Sequence, residues 1–190
     1  MNKDLYGSYA KMKGWSNAGG SGDPLSFEHI VSVSDKSGSL SILESGFGDG
    51  SFMDWARSVG HSITGIELIP DCVAAAKNRN HDVYLASDVE SLEAQRFDLI
   101  VAIDVLEHLT VGQLAELANL ATKVLRLDGM IVARFPNGDS PFSGRYQNGD
   151  VTHERPLSAR AVDQIFVPWA LPLLDPSIHG RGARDCVGSL

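Results

Sequence analysis

Residues 40–50 read Leu40-Ser-Ile-Leu-Glu-Ser-Gly-Phe-Gly-Asp-Gly50, an apolar run followed at once by three glycines at alternate positions. The apolar run is typical of a short buried strand, and the glycines allow the backbone to turn sharply. After them, Phe52, Trp55, Ala56 and Val59 recur at helical spacing. The segment therefore predicts a strand, a glycine turn and a helix.

The same alternation of apolar runs and amphipathic segments continues along the chain. Five predicted strands with helices between them imply an α/β fold with a doubly wound, mostly parallel sheet and helices on both faces. The predicted strands cover residues 40–44, 63–66, 83–86, 97–103 and 130–133, and the clearest predicted helices cover 70–79, 114–125 and 159–167.

The length of 190 residues fits a single domain. Residues 1–25 are polar and glycine-rich, which predicts an N-terminal arm, and residues 40–135 carry the alternating core. Residues 136–157 show no periodicity, which predicts a long lid-like loop. Residues 168–190 contain three prolines, and we expect an irregular tail there.

Composition excludes several classes of protein. The chain has 24 acidic and 16 basic side chains, a net charge of −8, and no basic run, so a nucleic-acid partner is not expected. The sequence has no apolar stretch of roughly 18 residues and no signal-like start, so we expect no membrane partner. Only Cys72 and Cys186 occur, which agrees with a reducing, cytoplasmic location.

Carboxylates follow four of the five predicted strands. In a doubly wound sheet, ligands bind outside the carboxyl ends of the strands, so these side chains are candidates for a site. The glycine loop also differs from a dinucleotide fingerprint, because its third glycine comes one residue early and Asp49 lies within it. A carboxylate there would repel a diphosphate and favour a cationic ligand. The ends carry Glu44, Glu67, Asp88, and Asp104 with Glu107 and His108.

Four of these motifs together resemble the class I S-adenosylmethionine-dependent methyltransferases. They are Ile42-Leu-Glu-Ser-Gly-Phe-Gly-Asp-Gly50, Gly65-Ile-Glu67, Ser87-Asp88 and Asp104-Val-Leu-Glu-His108, in the expected order and at the expected intervals. The resemblance implies S-adenosylmethionine as the cofactor. It also implies a sheet with two further C-terminal strands, but the short chain predicts that these are shortened or missing, with the sheet edge covered by the tail or by a second copy.

The resemblance assigns roles to residues. Gly46, Gly48 and Gly50 would let the backbone pass under the cofactor, and Glu44 would lie near its amino-acid end. Glu67 would accept hydrogen bonds from both ribose hydroxyls, as a bidentate acceptor can. At the adenine end Asp88 would bond the amino group beside Val89, whereas Ile103 and Asp104 would flank the methyl-bearing end.

The aperiodic stretch from Pro136 to Glu154 resembles a segment in a bacterial subgroup of these methyltransferases that is linked to surface polysaccharide and O-antigen biosynthesis. With Asp104, the catalytic candidates are His108 and His153, because imidazole titrates near neutral pH and can take a proton from a hydroxyl. His108 could equally cap the next helix. Glu107-His108 with His153 could bind a divalent ion, but two adjacent residues are weak metal spacing, so a metal is not expected.

These residues predict methyl transfer to a small hydroxylated acceptor, such as a sugar or sugar nucleotide, by a protein that could form a homodimer. A methyltransferase of a quinone-type or other small molecule is an alternative, since Asp104-Val-Leu-Glu-His108 also occurs there. Two others are a cofactor-binding protein without catalysis and a nucleotide-binding dehydrogenase, which the loop spacing and Asp49 oppose.

Overall fold

A computed structural model of the chain describes residues 23–169 and 183–189. The described strands form one six-stranded sheet with the order β3-β2-β1-β4-β5-β6. Its first five strands pair in parallel. The strands are β1 (Ser41–Ser45), β2 (Ser62–Glu67), β3 (Asp82–Leu85), β4 (Phe97–Ile103), β5 (Leu125–Pro136) and β6 (Ala183–Ser189).

Helices fill the connections between the parallel strands, as the alternation predicts, except that a 3₁₀ turn connects β3 to β4. The helices are α1 (Pro24–Ser32), α2 (Ser51–Ser58), α3 (Pro70–Asn78), α4 (Val111–Val124), α5 (Ser143–Gln147) and α6 (Ala159–Phe166), with 3₁₀ turns at Ala86–Ser91, Leu106–His108 and Val167–Trp169. Helix α4 begins with a capping box in which Thr110 and Gln113 satisfy each other's backbone N–H groups. No helix among the residues described is long and apolar enough to cross a membrane.

Two apolar clusters cover the two faces of the sheet, which explains why β4 reads as an uninterrupted apolar run. One cluster joins Ile100 and Ala102 to α4 and α6, and the other joins Leu99 and Val101 to α1 and α2. The predicted doubly wound α/β fold is therefore confirmed. The strand order reverses between β1 and β4, so the carboxyl ends of these two strands define the crevice in which a ligand of such a sheet binds.

The C-terminal prediction needs a correction. Residues 183–189 are not irregular but form β6, which pairs antiparallel with β5 from Met130↔Ser189 to Pro136↔Ala183. The local sequence, with Arg184, Asp185 and Gly188, has little strand propensity, and pairing with the open edge of β5 overrides it. Within the described residues, one strand follows the last helix, and it covers the edge of β5.

Smaller differences concern the segment boundaries. The predicted arm extends to residue 25, but α1 already begins at Pro24, after an N-cap at Asp23; residues 1–22 lie outside the described part. Strand β5 begins at Leu125, not at Met130, because the chain shifts register between the pairs Phe97↔Leu125 and Leu99↔Met130. The predicted loop at 136–157 contains the short helix α5 and returns to the sheet through a bridge between Asn137 and Leu157.

Candidate functional site

The glycine loop joins β1 to α2 in a backbone conformation that L side chains avoid. Gly46, Gly48 and Gly50 have φ angles of 72°, 54° and 77°. A Cβ atom at Gly46 would also lie 2.6 Å from Cγ2 of Val105, which follows β4. Glycine is therefore required at this position both by its φ angle and by the close approach of the β4 end.

Glu67, at the end of β2, is held by three backbone N–H groups. Oε2 accepts from Gly48 at 2.9 Å, and Oε1 accepts from Leu68 at 2.6 Å and Ile69 at 3.1 Å. Burial raises the pKa of this carboxyl, and the three backbone hydrogen bonds oppose the rise. A carboxylate offers about four acceptor positions, so about one remains for a ligand hydroxyl. The glycine loop and the end of β2 thus share one hydrogen-bond system.

Glu44, at the end of β1, is a buried carboxyl with an unused oxygen. Its side chain is 3% exposed and Oε2 has no hydrogen-bond partner. Burial raises its pKa well above the ordinary value, and the negative charges of Asp49, Glu67 and Asp54 raise it further. An ammonium or sulfonium group nearby would relieve both effects. The crevice at the carboxyl end of β1 is therefore suited to a cationic ligand.

The remaining residues assigned to the cofactor lie further along the sheet edge. Asp88 is in the 3₁₀ turn after β3, is exposed and accepts a 2.8 Å hydrogen bond from Ser87. The half-buried Val89 packs on the cluster that includes α4, whereas the half-buried Ile103 packs on the opposite cluster. In the described part of the chain, no hydrogen bond or ion pair links Asp88 to Glu67.

Asp104, at the end of β4, makes an ion pair with Arg134 of β5. Arg134 Nη2 lies 2.6 Å from Oδ2 of Asp104, and Arg134 also donates to Ser26 at 2.9 Å. Asp104 has a φ of 54°, so the chain turns sharply as it leaves the strand. Asp104, a predicted catalytic residue, is therefore paired with Arg134, which was not predicted as a site residue from the sequence.

The two histidines predicted as alternatives for the base are brought together. The rings of His108 and His153 meet edge to face with centroids 4.6 Å apart. Nδ1 of His108 lies 2.9 Å from the Thr152 hydroxyl, which lies 2.6 Å from Oδ1 of Asp150. A carboxylate only accepts, so the single hydroxyl proton goes to Asp150, and Thr152 accepts from Nδ1–H of His108. Neutral His108 therefore carries its lone pair on Nε2.

Glu107 lies next to this pair and is 1% exposed. Burial raises the pKa of its carboxyl to about 8, and the charges of Asp104 and Asp150 act in the same direction, against Arg134. Oε2 of Glu107 and Nδ1 of His153 have no hydrogen-bond partner. One donor atom from each of Glu107, His108 and His153 falls within 4.8 Å of the others.

Sequence reasoning missed Thr152, the residue that joins Asp150 to His108. Asp150 and Thr152 form an Asx turn, in which Oδ1 of Asp150 also accepts the backbone N–H of Thr152 at 3.0 Å. An Asp two residues before a Thr is a recognisable turn signal. Nothing local in the sequence, however, shows that this turn lies against the residue after β4.

Comparison with known proteins agrees with this geometry. Residues 43–133 match a family model described as a methyltransferase domain. Over these residues the chain is similar to a methyltransferase domain. The match runs from β1 into β5 and so includes the glycine loop, Glu67 and the β4 end.

Solved structures of methyltransferases share the fold of this chain at low identity. An S-adenosylmethionine-dependent methyltransferase from Archaeoglobus fulgidus has a TM-score of 0.72 and 16% identity, and covers 89% of this chain and 95% of its own. The magnesium protoporphyrin IX methyltransferase from Synechocystis, solved with bound S-adenosylhomocysteine, has a TM-score of 0.64 and 14% identity, with 86% and 82% covered.

A curated relative is the ubiquinone biosynthesis O-methyltransferase of a Methylobacterium strain. It is 29% identical over 118 aligned residues, which is 58% of this chain and 44% of that protein. The chain thus spans less than half the length of this relative.

The comparisons support S-adenosylmethionine as the cofactor, and the residues present fit it. Gly46, Gly48 and Gly50 put backbone without side chains at the end of β1, where the cofactor would lie. The unpaired oxygen of Glu44 and the neighbouring Asp49 suit the cationic end of the molecule. The same features do not suit a diphosphate, so the dehydrogenase alternative is not supported.

Proposed function

We propose that this chain transfers a methyl group from S-adenosylmethionine to a hydroxyl group of a small acceptor, such as a sugar or sugar nucleotide, in the cytoplasm. The cofactor supplies an activated methyl group. The observation that carries the proposal is the chain of hydrogen bonds from Asp150 through Thr152 to His108. It holds His108 in the tautomer that can accept a proton at Nε2 from an acceptor hydroxyl.

The proposed base lies next to the proposed cofactor site. His108 follows β4, and Val105 of the same turn contacts the glycine loop, so the residues that handle the acceptor adjoin those that hold the cofactor. Glu44, Gly46, Gly48, Gly50 and Glu67 hold the cofactor in this proposal, with Asp88, Val89 and Ile103 along its adenine and methyl ends. Asp104, paired with Arg134, shapes the turn between the two groups.

The loop at residues 136–157 supports a sugar or sugar-nucleotide acceptor. Phe142 is 77% exposed and lines a shallow surface pocket with Arg145. An aromatic ring can stack on a sugar or base, and a guanidinium pairs with phosphate. The proposal has no nucleic-acid or membrane partner, and a homodimer is compatible with it. Membership of the O-antigen subgroup also stays a proposal.

A quinone-type acceptor is the second candidate, because the curated relative is a ubiquinone biosynthesis O-methyltransferase. The test is transfer of a labelled methyl group from S-adenosylmethionine to panels of sugars, sugar nucleotides and phenols. We expect labelled methyl ethers from the sugar panel. Labelling of phenols alone would select the second candidate, and tight cofactor binding with no product would favour a binding protein without catalysis.

A matched pair of variants tests the relay behind His108. Thr152→Val removes the hydroxyl at nearly constant volume, so neutral His108 is no longer held as the Nδ1–H tautomer. We expect turnover to fall by about 10–100-fold, the usual scale for residues that orient an imidazole. Thr122→Val removes a hydroxyl that bonds only a backbone carbonyl in α4 and should leave turnover unchanged. Equal activities for the two variants would exclude the relay.

A further inference from the structure

Three donors of metal-ligand type meet beside the end of β4. Glu107, His108 and His153 each offer one ligand atom, and these atoms lie within 4.8 Å of one another. Glu107 is only 1% exposed, yet its Oε2 makes no hydrogen bond. Nδ1 of His153 is also buried without a hydrogen-bond partner. Buried polar atoms without partners are costly, so their coincidence at one place needs a reason.

The surrounding contacts keep the three donors together although they come from distant parts of the chain. The backbone N–H of Glu154 donates to the carbonyl of Glu107 at 2.8 Å, and that of His153 donates to the carbonyl of Asp150 at 3.2 Å. Thr152 bonds His108 and Asp150 at the same time. The backbone of the loop is therefore fixed on both sides of His153.

The hydrogen bond to His108 is the kind that supports a metal-ligating imidazole. A histidine ligand normally donates its other ring N–H to an oxygen, which sets the tautomer and the ring orientation. Here Nδ1–H of His108 donates to Thr152, so Nε2 is the nitrogen with the lone pair. Two imidazoles and one carboxylate form the ligand set of many catalytic zinc sites, which keep a fourth position for water or substrate.

We propose that Glu107, His108 and His153 bind a divalent transition-metal ion of the Zn²⁺ type. Two nitrogen donors favour such an ion over Mg²⁺, which prefers oxygen ligands. Ligands of a tetrahedral zinc ion stand about 3.3 Å apart, so the three side chains draw together by roughly an ångström when the ion binds.

The consequence for catalysis rests on the proposed O-methyl transfer. With the ion bound, both imidazoles are ligands, and the acceptor hydroxyl occupies the remaining position. The ion makes this hydroxyl more acidic, so its proton leaves to water while its oxygen forms the new bond to the methyl carbon and the carbon–sulfur bond breaks. Without the ion, His108 takes the proton from a less acidic hydroxyl, so methyl transfer is slower.

The test is calorimetric titration of the chelator-treated full chain with Zn²⁺ and, separately, Mg²⁺. We expect one tight equivalent of Zn²⁺ and much weaker binding of Mg²⁺. Glu107→Gln and His153→Ala should each weaken Zn²⁺ binding by at least about 100-fold, more than loss of an orienting residue does. Co²⁺ should give the visible absorption bands of a four-coordinate nitrogen and oxygen site, and these should disappear in both variants.

The exposed neighbour Glu154 provides the matched control, and Glu154→Gln should bind Zn²⁺ as the unmodified chain does. Circular dichroism of each variant verifies the fold. Absence of stoichiometric Zn²⁺ binding, or equal binding by all variants, would overturn the metal site. Methyl transfer that persists fully in chelator would overturn only the metal, whereas Zn²⁺ binding without any S-adenosylmethionine binding would overturn only the proposed function.

Discussion

Glu67 and His108 both follow parallel strands at the same edge of the sheet, but different parts of the chain hold them in place. Glu67 is held by backbone N–H groups, and the most distant of these belongs to Gly48, 19 residues away. His108 is held by a side chain 44 residues away, Thr152, which Asp150 positions in turn. One half of the site is therefore built from the local backbone, and the other half from side chains brought together by the fold.

This difference suits the two tasks. Backbone donors tolerate sequence change around them, so many sequences can reproduce a cofactor site of the kind proposed for the glycine loop and Glu67. Side-chain contacts between β4 and the loop at 136–157 depend on the identity of each residue. They can therefore be changed to suit one acceptor without disturbing the cofactor half.

The largest expected effect comes from removing the imidazole in the acceptor half. His108→Ala should lower turnover by about 10²–10⁴-fold, because general base catalysis typically contributes that much. The dissociation constant of S-adenosylmethionine should stay within about twofold, because Glu67 and the glycine loop are untouched. Steady-state kinetics and calorimetry on the same preparation separate the two quantities.

A loss of cofactor affinity equal to the loss of turnover would contradict the division of the site into two halves. His61→Ala is a useful comparison, because His61 lies at the opposite end of β2 and its Nδ1 accepts only the backbone N–H of Leu40. It should lower stability, not turnover at saturating cofactor.

The second effect concerns the cofactor half. Glu67→Ala should weaken S-adenosylmethionine binding by about 1.5–3 kcal/mol, the usual scale for charge-assisted hydrogen bonds. It should also lower the free energy of unfolding, because three backbone N–H groups lose their acceptor. Calorimetry and urea denaturation measure these changes, with the exposed Glu93→Ala as the control. An unchanged dissociation constant would mean that the ribose is held elsewhere.

The same division explains what could be predicted from the sequence. The glycines, Glu44, Glu67 and the buried β4 leave local patterns, because the backbone and neighbouring residues set their positions. The meeting of His108 with Thr152, and the pairing of Asp104 with Arg134, arise from contacts between distant segments and leave no local pattern. Strand β6 was not predicted for the same reason. Its own sequence has little strand propensity, and pairing with the edge of β5 makes it a strand.

The smallest expected effect is a pH dependence of the free energy of unfolding that is caused by Glu44. Its pKa in the folded protein is well above the ordinary value because of burial and the nearby carboxylates. Below the unfolded pKa of about 4.5, the carboxyl is protonated in both states and costs nothing. As pH rises, the unfolded chain ionises first, so stability is lost, by at most about 1.4 kcal/mol per pH unit, until the folded pKa is passed.

Glu44→Gln keeps the shape of the side chain and does not titrate, so this loss should be absent in the variant. Urea denaturation of the cofactor-free chain should therefore show the two proteins converging near about pH 4 and diverging toward neutral pH, with the variant more stable. Glu28→Gln, at an exposed position of α1, should follow the unmodified chain throughout. Parallel curves for Glu44→Gln and the unmodified chain would mean that Glu44 is ionised when folded. The cofactor half would then carry a stable negative charge on Glu44 before a cationic ligand binds. The backbone N–H groups that hold Glu67 would not explain how that charge is stabilised.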